Sequence, residues 1–271
     1  DRGFVLEAVR QKGSALRYAV HELKSDREVV LEAVRRDGWA LQEAAPELKC
    51  DREVVLEAVR QNGFALRVAA EELKSDRDFV LEAVQRNARS LQVVALNLRS
   101  DRDVVLEAVR QSGITLQDAT LELRSDREVV LAAVRQNGRA LHYAAKEVRS
   151  DREVVLAAVQ QNGSALQDAT QELKSDGEVV FKAVRQDSSA LRFASQELRD
   201  GWNNPIAVSG AYARIFTIGK QAQVEDIPHA TQQLALSVIG LGTEQTLHMP
   251  LEATLRDLAH ILSRQEDEFV M

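Results

Sequence analysis

The chain has 271 residues, of which 45% are hydrophobic and 28% charged, a composition typical of a water-soluble protein with enough apolar side chains for a core. Its 35 basic and 42 acidic residues give a net charge of −7, so the chain lacks the basic excess expected of a nucleic-acid-binding protein. The single cysteine, Cys50, excludes an internal disulfide framework and a multi-cysteine metal site. No apolar run approaches the roughly 18 residues that span a bilayer, so we expect a soluble, intracellular protein of the cytoplasm or an organelle interior.

From Asp1 the sequence divides into eight units of 25 residues without an insertion, and the eighth unit ends at Asp200. The shared pattern is DREVVLxAVRQNGxALxxAxxELKS, and positions within a unit are counted below from its aspartate as position 1. A unit this short cannot bury its own apolar faces, so the pattern predicts a stacked array in which each unit packs mainly on its neighbours. The units begin at Asp1, Asp26, Asp51, Asp76, Asp101, Asp126, Asp151 and Asp176.

The first part of each unit predicts a helix, here called helix A, of about ten residues. Serine precedes it and glutamate follows three residues later, as in Ser125 and Glu128, which is the capping-box pattern with serine as the N-cap. Helix A is expected to end at Asn-Gly, where glycine supplies a left-handed residue. This predicts structural turns at Gly38, Gly63, Gly113, Gly138 and Gly163.

The second part of each unit predicts another helix, helix B, with an apolar stripe at positions 15, 16, 19, 20 and 23. Helix A is apolar over a wider arc and is expected to be the more buried of the two. The predicted fold class is therefore mainly α: a solenoid of eight helical hairpins over 1–200, followed by a small α+β segment. In unit three the stripe of helix B is Ala65, Leu66, Ala69, Ala70 and Leu73, and helix A carries Val54, Val55, Leu56, Ala58 and Val59.

The phrase ALxxAxxELxSDREVVLxAVxQNG, repeated over residues 1–200, resembles the repeats of domain of unknown function 4116. That family is common in certain protist algae and occurs in some bacteria. The resemblance implies an α-helical repeat array, and it carries no established activity and no catalytic residues.

Two units depart from the pattern at position 13, where unit four has Ala88 and unit eight has Ser188 in place of glycine. Because a left-handed residue other than glycine is strained, we expect a changed turn between helices A and B in these units. Unit eight also has Gly177 at position 2, and atypical terminal units usually cap an array. Unit one is not atypical in this way, so further repeats are expected upstream.

Positions 14, 18 and 21 vary most between units, and on a continuous helix B they lie opposite the apolar stripe. A contiguous apolar patch there would mark a contact surface for a protein partner. Alternatively, a neighbouring subunit, the C-terminal segment or upstream repeats cover these side chains, or the twist of the array scatters them. The candidate partner surface comprises Trp39, Phe64, Val68, Val93, Leu96, Ile114 and Leu121.

The repeat pattern stops after Asp200. Residues 201–233 read as a linker with a predicted strand at 213–219, and residues 234–271 read as a small α+β module. In that module two strands flank a turn at 242–244 and a helix is predicted over 252–265. The order resembles the first half of a ubiquitin-like fold over 234–265, without the later strands and without a terminal di-glycine, which favours a docking role.

The sequence contains no recognisable catalytic, metal-binding or phosphate-binding motif. The five histidines lack the i, i+3 or i+4 spacing of metal ligands, and no glycine-rich phosphate loop follows a strand. The sequence therefore predicts no enzyme, with no catalytic residue, cofactor or metal. The leading hypothesis is a protein-binding scaffold. The alternatives are a peripheral structural subunit of a large organelle assembly, such as an algal photosynthetic or respiratory complex, and an RNA-binding repeat protein, which the acidic total disfavours.

Overall fold

The structure, a computed structural model, describes residues 1–203, 233–240 and 243–250. The chain divides into two compact bodies, residues 1–149 and 150–271, and the features below are found in each body by itself. The predicted strand 213–219 and the predicted helix 252–265 lie outside the described residues. The division of the chain into array, linker and C-terminal module stays a prediction.

Helix A is confirmed in all eight units, and it always has ten residues. In the first body these helices are α1 (Arg2–Gln11), α3 (Arg27–Arg36), α5 (Arg52–Gln61), α7 (Arg77–Arg86), α8 (Arg102–Gln111) and α10 (Arg127–Gln136). In the second body they are α11 (Arg152–Gln161) and α12 (Gly177–Gln186). The wide apolar arc of helix A is buried as expected, and in α5 all five of its apolar residues named above are buried.

Helix B is not one continuous helix, which corrects the prediction. Its first part is a six-residue 3-10 helix, its second part is a short helical turn, and positions 19 and 20 between them are extended, as at Ala44 and Ala45. The 3-10 helices are Gly13–Tyr18, Gly38–Glu43, Gly63–Val68, Ala88–Val93, Gly113–Asp118, Gly138–Tyr143, Gly163–Asp168 and Ser188–Phe193. The closing turns are α2 (His21–Lys24), α4 (Pro46–Lys49), α6 (Glu71–Ser75), α9 (Leu121–Ser125), α13 (Gln196–Asn203) and the 3-10 turns Leu98–Ser100, Val148–Ser150 and Leu173–Ser175.

In units two to seven most of the predicted stripe is nevertheless buried. Leucine at position 16 is fully buried in units one to seven, and in unit three Ala65, Ala69 and Leu73 are buried beside it. The fully buried leucines are Leu16, Leu41, Leu66, Leu91, Leu116, Leu141 and Leu166.

The helix N-cap is aspartate, not serine, so the predicted capping box is wrong. Asp51 is the residue before α5, and its Oδ1 accepts hydrogen bonds from the N–H groups of Glu53 and Val54 over 3.0 and 3.1 Å. The preceding serine belongs to the turn before the cap: Ser25 Oγ donates to the His21 carbonyl over 3.3 Å. Cys50, at the serine position, makes the same contact through Sγ to the Pro46 carbonyl.

The glycines at position 13 do not end helix A in a left-handed conformation, which corrects the predicted turn. Helix A ends instead at an extended residue, as at Asp37 with φ −149° and ψ 105°, and glycine opens the following 3-10 helix. Close approach to the next unit explains the glycine. A Cβ on Gly38 would strike the Ala58 carbonyl oxygen and lie 3.1 Å from Asn62 Cβ. All five predicted glycines, Gly38, Gly63, Gly113, Gly138 and Gly163, are buried.

The expected change of turn in units four and eight is also wrong. Asn87 before Ala88 has φ −160° and ψ 110°, and Asp187 before Ser188 has φ −146° and ψ 108°, both close to the values in the other units. Between units, α7 approaches both α5 and α8 less extensively than α8 approaches α10.

The described part of the C-terminal segment is one antiparallel strand pair. β1 (Gln233–Gly240) pairs with β2 (Thr243–Pro250) from Gln233 opposite Pro250 to Gly240 opposite Thr243. Thr243 and Glu244, which the sequence places in the turn, belong to β2. The predicted hairpin is therefore present with a shorter connection.

Candidate functional site

Within each body, an arginine closes the junction between consecutive units by spanning to the next unit, and we call this contact the arginine clamp. The position-2 arginine binds the position-1 aspartate of the next unit, and in most clamps it also binds the carboxylate at position 3. Arg77 shows the geometry, with Nε 2.6 Å from Asp101 Oδ2 and Nη2 2.7 Å from Asp103 Oδ2. The other clamps in the first body start from Arg2, Arg27, Arg52 and Arg102, and the second body has that of Arg152.

The clamp at Arg52 differs from the others. Arg52 Nη1 lies 2.8 Å from Asp76 Oδ2, and the guanidinium stands over the Phe79 ring, 4.9 Å from its centroid, instead of binding the carboxylate at position 3. Phe79 replaces the usual valine at position 4 and is fully buried. A cation over an aromatic face is an attractive arrangement, so phenylalanine at position 4 gives the arginine a second kind of partner.

A backbone hydrogen bond also joins consecutive units. The N–H at position 20 donates to the carbonyl at position 24 of the preceding unit, as Ala45 does to Lys24 over 3.0 Å and Ala145 to Arg124 over 2.9 Å. In the second body Ser195 donates to Lys174 over 2.9 Å. The N–H at position 19 still bonds to the leucine carbonyl of the 3-10 helix, as Ala44 does to Leu41, and the break after it leaves the N–H at position 20 available for the bond between units.

Position 18 lies at the junction, where it meets position 24 of the preceding unit. Lys24 Nζ is 3.5 Å from Glu43 Oε2. Burial raises the pKa of the Asp118 carboxyl, and the nearby charge of Arg99 opposes that rise. Side chains at position 18 therefore distinguish one junction from another, a role that the helical wheel did not predict.

The clamp arginines lower the pKa of carboxyl groups that they bind. Hydrogen bonds from Arg2, Arg27 and Arg77 lower the pKa of Asp26, Asp51 and Asp101 respectively. The backbone N–H groups that these aspartates cap act in the same direction, since they also favour the charged carboxylate. The position-1 aspartates are thus held in their ionised form by two kinds of donor.

The seven residues of the candidate partner surface do not share one environment. Leu96 and Leu121 are 64% and 67% exposed and Trp39 is 38% exposed. The other four, Phe64, Val68, Val93 and Ile114, are half-buried. Because positions 14 and 18 lie on the 3-10 helix and position 21 begins the next turn, the seven do not lie along one helix face.

Leu96 and Leu121 belong to one junction. Both occupy position 21, in units four and five, and the residue before Leu121 is Thr120, whose N–H donates to the Arg99 carbonyl over 3.2 Å. Arg99 follows Leu96 by three residues in the same turn. Two exposed leucines are therefore carried by backbone segments that are hydrogen-bonded to each other, and we call them the leucine pair.

Three exposed apolar side chains were missed by sequence reasoning. Phe4, Tyr18 and Val20 of unit one are 76%, 86% and 62% exposed. Their signal is present in the repeat itself, because positions 4 and 20 hold larger side chains in unit one than in most other units. A comparison of unit one with the inner units at the positions that the inner units bury would have pointed to these side chains.

The described residues contain no cluster of three or more histidine, cysteine or acidic side chains suited to a metal ion. Within the same described part of the chain, none of the helices has both the length and the apolar character needed to cross a membrane. The prediction that the protein has no catalytic residue or cofactor is untested by these observations and stays a prediction.

A comparison with family models matches four consecutive stretches of the chain to the domain of unknown function DUF4116, at residues 1–49, 51–99, 101–149 and 151–199. Each stretch covers two of the 25-residue units. No curated protein and no solved structure matches the chain.

Proposed function

Because the chain belongs to the DUF4116 family and its near-identical units differ in a few exposed side chains, we propose that it is a non-catalytic scaffold that binds another protein. The arginines, aspartates and glycines that the units share are engaged in junctions between units. Residues that recur at every junction hold the array together, so residues that vary and remain exposed are the ones available to a partner.

The leucine pair carries this proposal. Leu96 and Leu121 are largely exposed and lie on hydrogen-bonded segments of adjacent units, whereas position 21 is polar in units three, six, seven and eight. Adjacent exposed leucines favour burial by a protein surface because each apolar side chain gains free energy on leaving water.

The arginines give less support to a phosphate-binding function. Each described clamp arginine has a carboxylate of the next unit as its partner. Binding to RNA phosphates would have to compete with these carboxylates. A salt-sensitive shift of labelled RNA by the full chain would favour the RNA alternative over the scaffold.

The test is affinity capture by the full chain from an extract of the organism that encodes it, with quantitative mass spectrometry. A double variant, Leu96→Ser with Leu121→Ser, should lose a specific set of captured proteins and keep the circular dichroism spectrum, since both side chains are largely exposed. The matched control is Gln171→Ser, which changes an exposed position-21 residue of unit seven. Equal capture by the double variant and the unmodified chain would show that the leucine pair is not the binding surface.

A further inference from the structure

The junction between units four and five contains a carboxyl group that has no hydrogen-bond donor among the described residues. Asp118, at position 18 of unit five, is half-buried. Burial raises the pKa of its carboxyl, and in the described part of the chain only the charge of Arg99 opposes that rise. A carboxylate that loses hydration without gaining a donor is costly to keep in place, so Asp118 is a group that a partner could stabilise.

The junction between units one and two shows how the array pairs a carboxylate at position 18. Glu43 of unit two has Arg17 Nε 3.4 Å from its Oε1 and Lys24 Nζ 3.5 Å from its Oε2. These two cations occupy positions 17 and 24 of the preceding unit. Position 17 of unit four is Gln92, so Asp118 lacks the counterpart of Arg17.

Arg99 does not close this junction in the way that its counterpart closes the next one. Arg124, at the same position 24 in unit five, donates from Nε to the Tyr143 carbonyl at position 18 of unit six. Arg99 Nε is buried and has no hydrogen-bond partner within the described residues. The acceptor atoms of the Asp118 carboxylate are therefore left unused by the array.

Asp118 lies beside the leucine pair. It precedes Leu121 by three residues, so the two Cα atoms lie within about 10 Å of each other. Arg99, whose charge acts on Asp118, follows Leu96 by three residues in one turn. One short segment of a partner can therefore contact the exposed leucines and the carboxylate together.

We propose that the leucine pair and Asp118 form one docking site for a segment of a partner protein that carries a lysine or arginine next to a large apolar residue. The apolar residue packs on Leu96 and Leu121, and the cation binds Asp118 as Arg17 binds Glu43. The carboxylate confers specificity, because an apolar segment without a cation would bury it further and leave it unpaired. This inference rests on the proposed function and names the chemistry of its partner.

The test begins with selection of a phage-displayed library of random short peptides on the full chain. Recovered peptides should combine a lysine or arginine with a large apolar residue. Fluorescence anisotropy of synthetic labelled peptides then measures their affinity for the unmodified chain and for two variants, Asp118→Asn and the double variant Leu96→Ser, Leu121→Ser. Asp118→Asn should weaken binding about tenfold or more, the effect expected when a charge pair at an interface loses one partner.

The matched control is Asp168→Asn. Asp168 occupies position 18 of unit seven, lies in the same Gln-Asp-Ala-Thr sequence as Asp118 and is also half-buried. Position 21 of its unit is Gln171 instead of leucine. Peptide affinity should therefore be unchanged in the Asp168→Asn chain.

A double-mutant cycle shows whether the peptide cation and Asp118 interact directly. Norleucine in place of the basic residue of the peptide keeps the apolar stem and removes the charge. This change should weaken binding to the unmodified chain about tenfold and should have little effect on binding to the Asp118→Asn chain. An equal loss of affinity on both chains would overturn the inference.

The remaining outcomes separate this inference from the proposed function. Peptides that lose affinity for the leucine double variant but bind Asp118→Asn as well as the unmodified chain would overturn the inference and leave the proposed function standing. Peptides that bind the leucine double variant without loss would contradict the proposed function and the inference with it. Recovery of no peptide with a basic residue would overturn the inference. Self-association of the unmodified chain that Asp118→Asn abolishes would also overturn it, because the occupant would then be a second copy.

Discussion

Arg27 of unit two donates from Nε to Asp51 Oδ2 of unit three over 2.8 Å, while Oδ1 of the same carboxylate caps α5. One side chain thus starts a helix and binds the preceding unit. Because the same relationship recurs at the other described junctions, the N-terminus of helix A and the contact between units are formed by the same residue.

We predict that Asp51→Ala destabilises the chain more than Asp51→Asn does. Alanine removes both the cap and the partner of Arg27, whereas the asparagine carbonyl still accepts from the backbone N–H groups. Loss of an N-cap typically costs about 1 kcal/mol of unfolding free energy, and urea unfolding followed by circular dichroism measures it. Asp78→Asn is the control, because Asp78 is exposed and no described arginine binds it. Equal losses for the two Asp51 variants would contradict a capping role.

The free energy of unfolding is predicted to fall as the pH is lowered, because the clamps stabilise ionised aspartates that acid protonates. The folded pKa values of Asp26, Asp51 and Asp101 lie below the ordinary value of 3.8. Below pH 3.8 the unfolded chain takes up protons more readily than the folded chain, so this contribution is present above that pH and is lost as pH falls through the folded pKa values. Thermal melts between pH 6 and pH 2 should show it, and Asp51→Asn should have a shallower acid limb. Parallel curves for the two proteins would argue against the clamp as the cause.

The contribution of Asp118 to the free energy of unfolding is predicted to have the opposite pH dependence. Its folded pKa is raised by burial, so its favourable contribution is complete below pH 3.8 and is lost as pH rises through the folded pKa. Asp118→Asn should therefore raise the melting temperature at pH 7 and change it little at pH 3. A lower melting temperature at pH 7 would mean that attraction to Arg99 outweighs the cost of burying the carboxylate.

An added methyl group at Gly38 is predicted to destabilise the junction with the following unit. Gly38→Ala places a methyl group against the Ala58 carbonyl and should cost about 1–3 kcal/mol, the usual range for overpacking. Ser188→Ala is the matched control, since Ser188 occupies the same position in unit eight and is exposed. Its unfolding free energy should be nearly unchanged. A Gly38→Ala chain as stable as the unmodified one would show that neighbouring units move apart without cost.

The repeat length, helix A and the buried stripe could be predicted because each depends on residue order within a unit. The capping residue could not be assigned in this way. Ser25 and Asp26 are adjacent, and both types of side chain can cap a helix. The backbone at Asp26 is extended, with φ −77° and ψ 110°, and this geometry directs its carboxylate to the helix N–H groups.

The seven candidate surface residues show where a helical wheel fails. The wheel requires a continuous helix B, whereas positions 19 and 20 are extended and position 18 meets the preceding unit. Leu96 and Leu121 are exposed as expected, but Val68 and Val93 are half-buried. Their environment depends on the neighbouring unit, which no pattern within one unit contains.

The sequence by itself determined the repeat, the family resemblance, the ten-residue helix and the apolar stripe, because 25 residues of local pattern are enough to specify them. Only the tertiary structure decided that aspartate caps the helix, that glycine serves close approach and that helix B is broken. The close approach of Gly38 to Ala58 and the bond from the Ala45 N–H to the Lys24 carbonyl are contacts between units, which no pattern within one unit contains. The aspartate cap depends on the extended backbone at the aspartate, as at Asp51, whose carboxylate also binds Arg27 of the preceding unit.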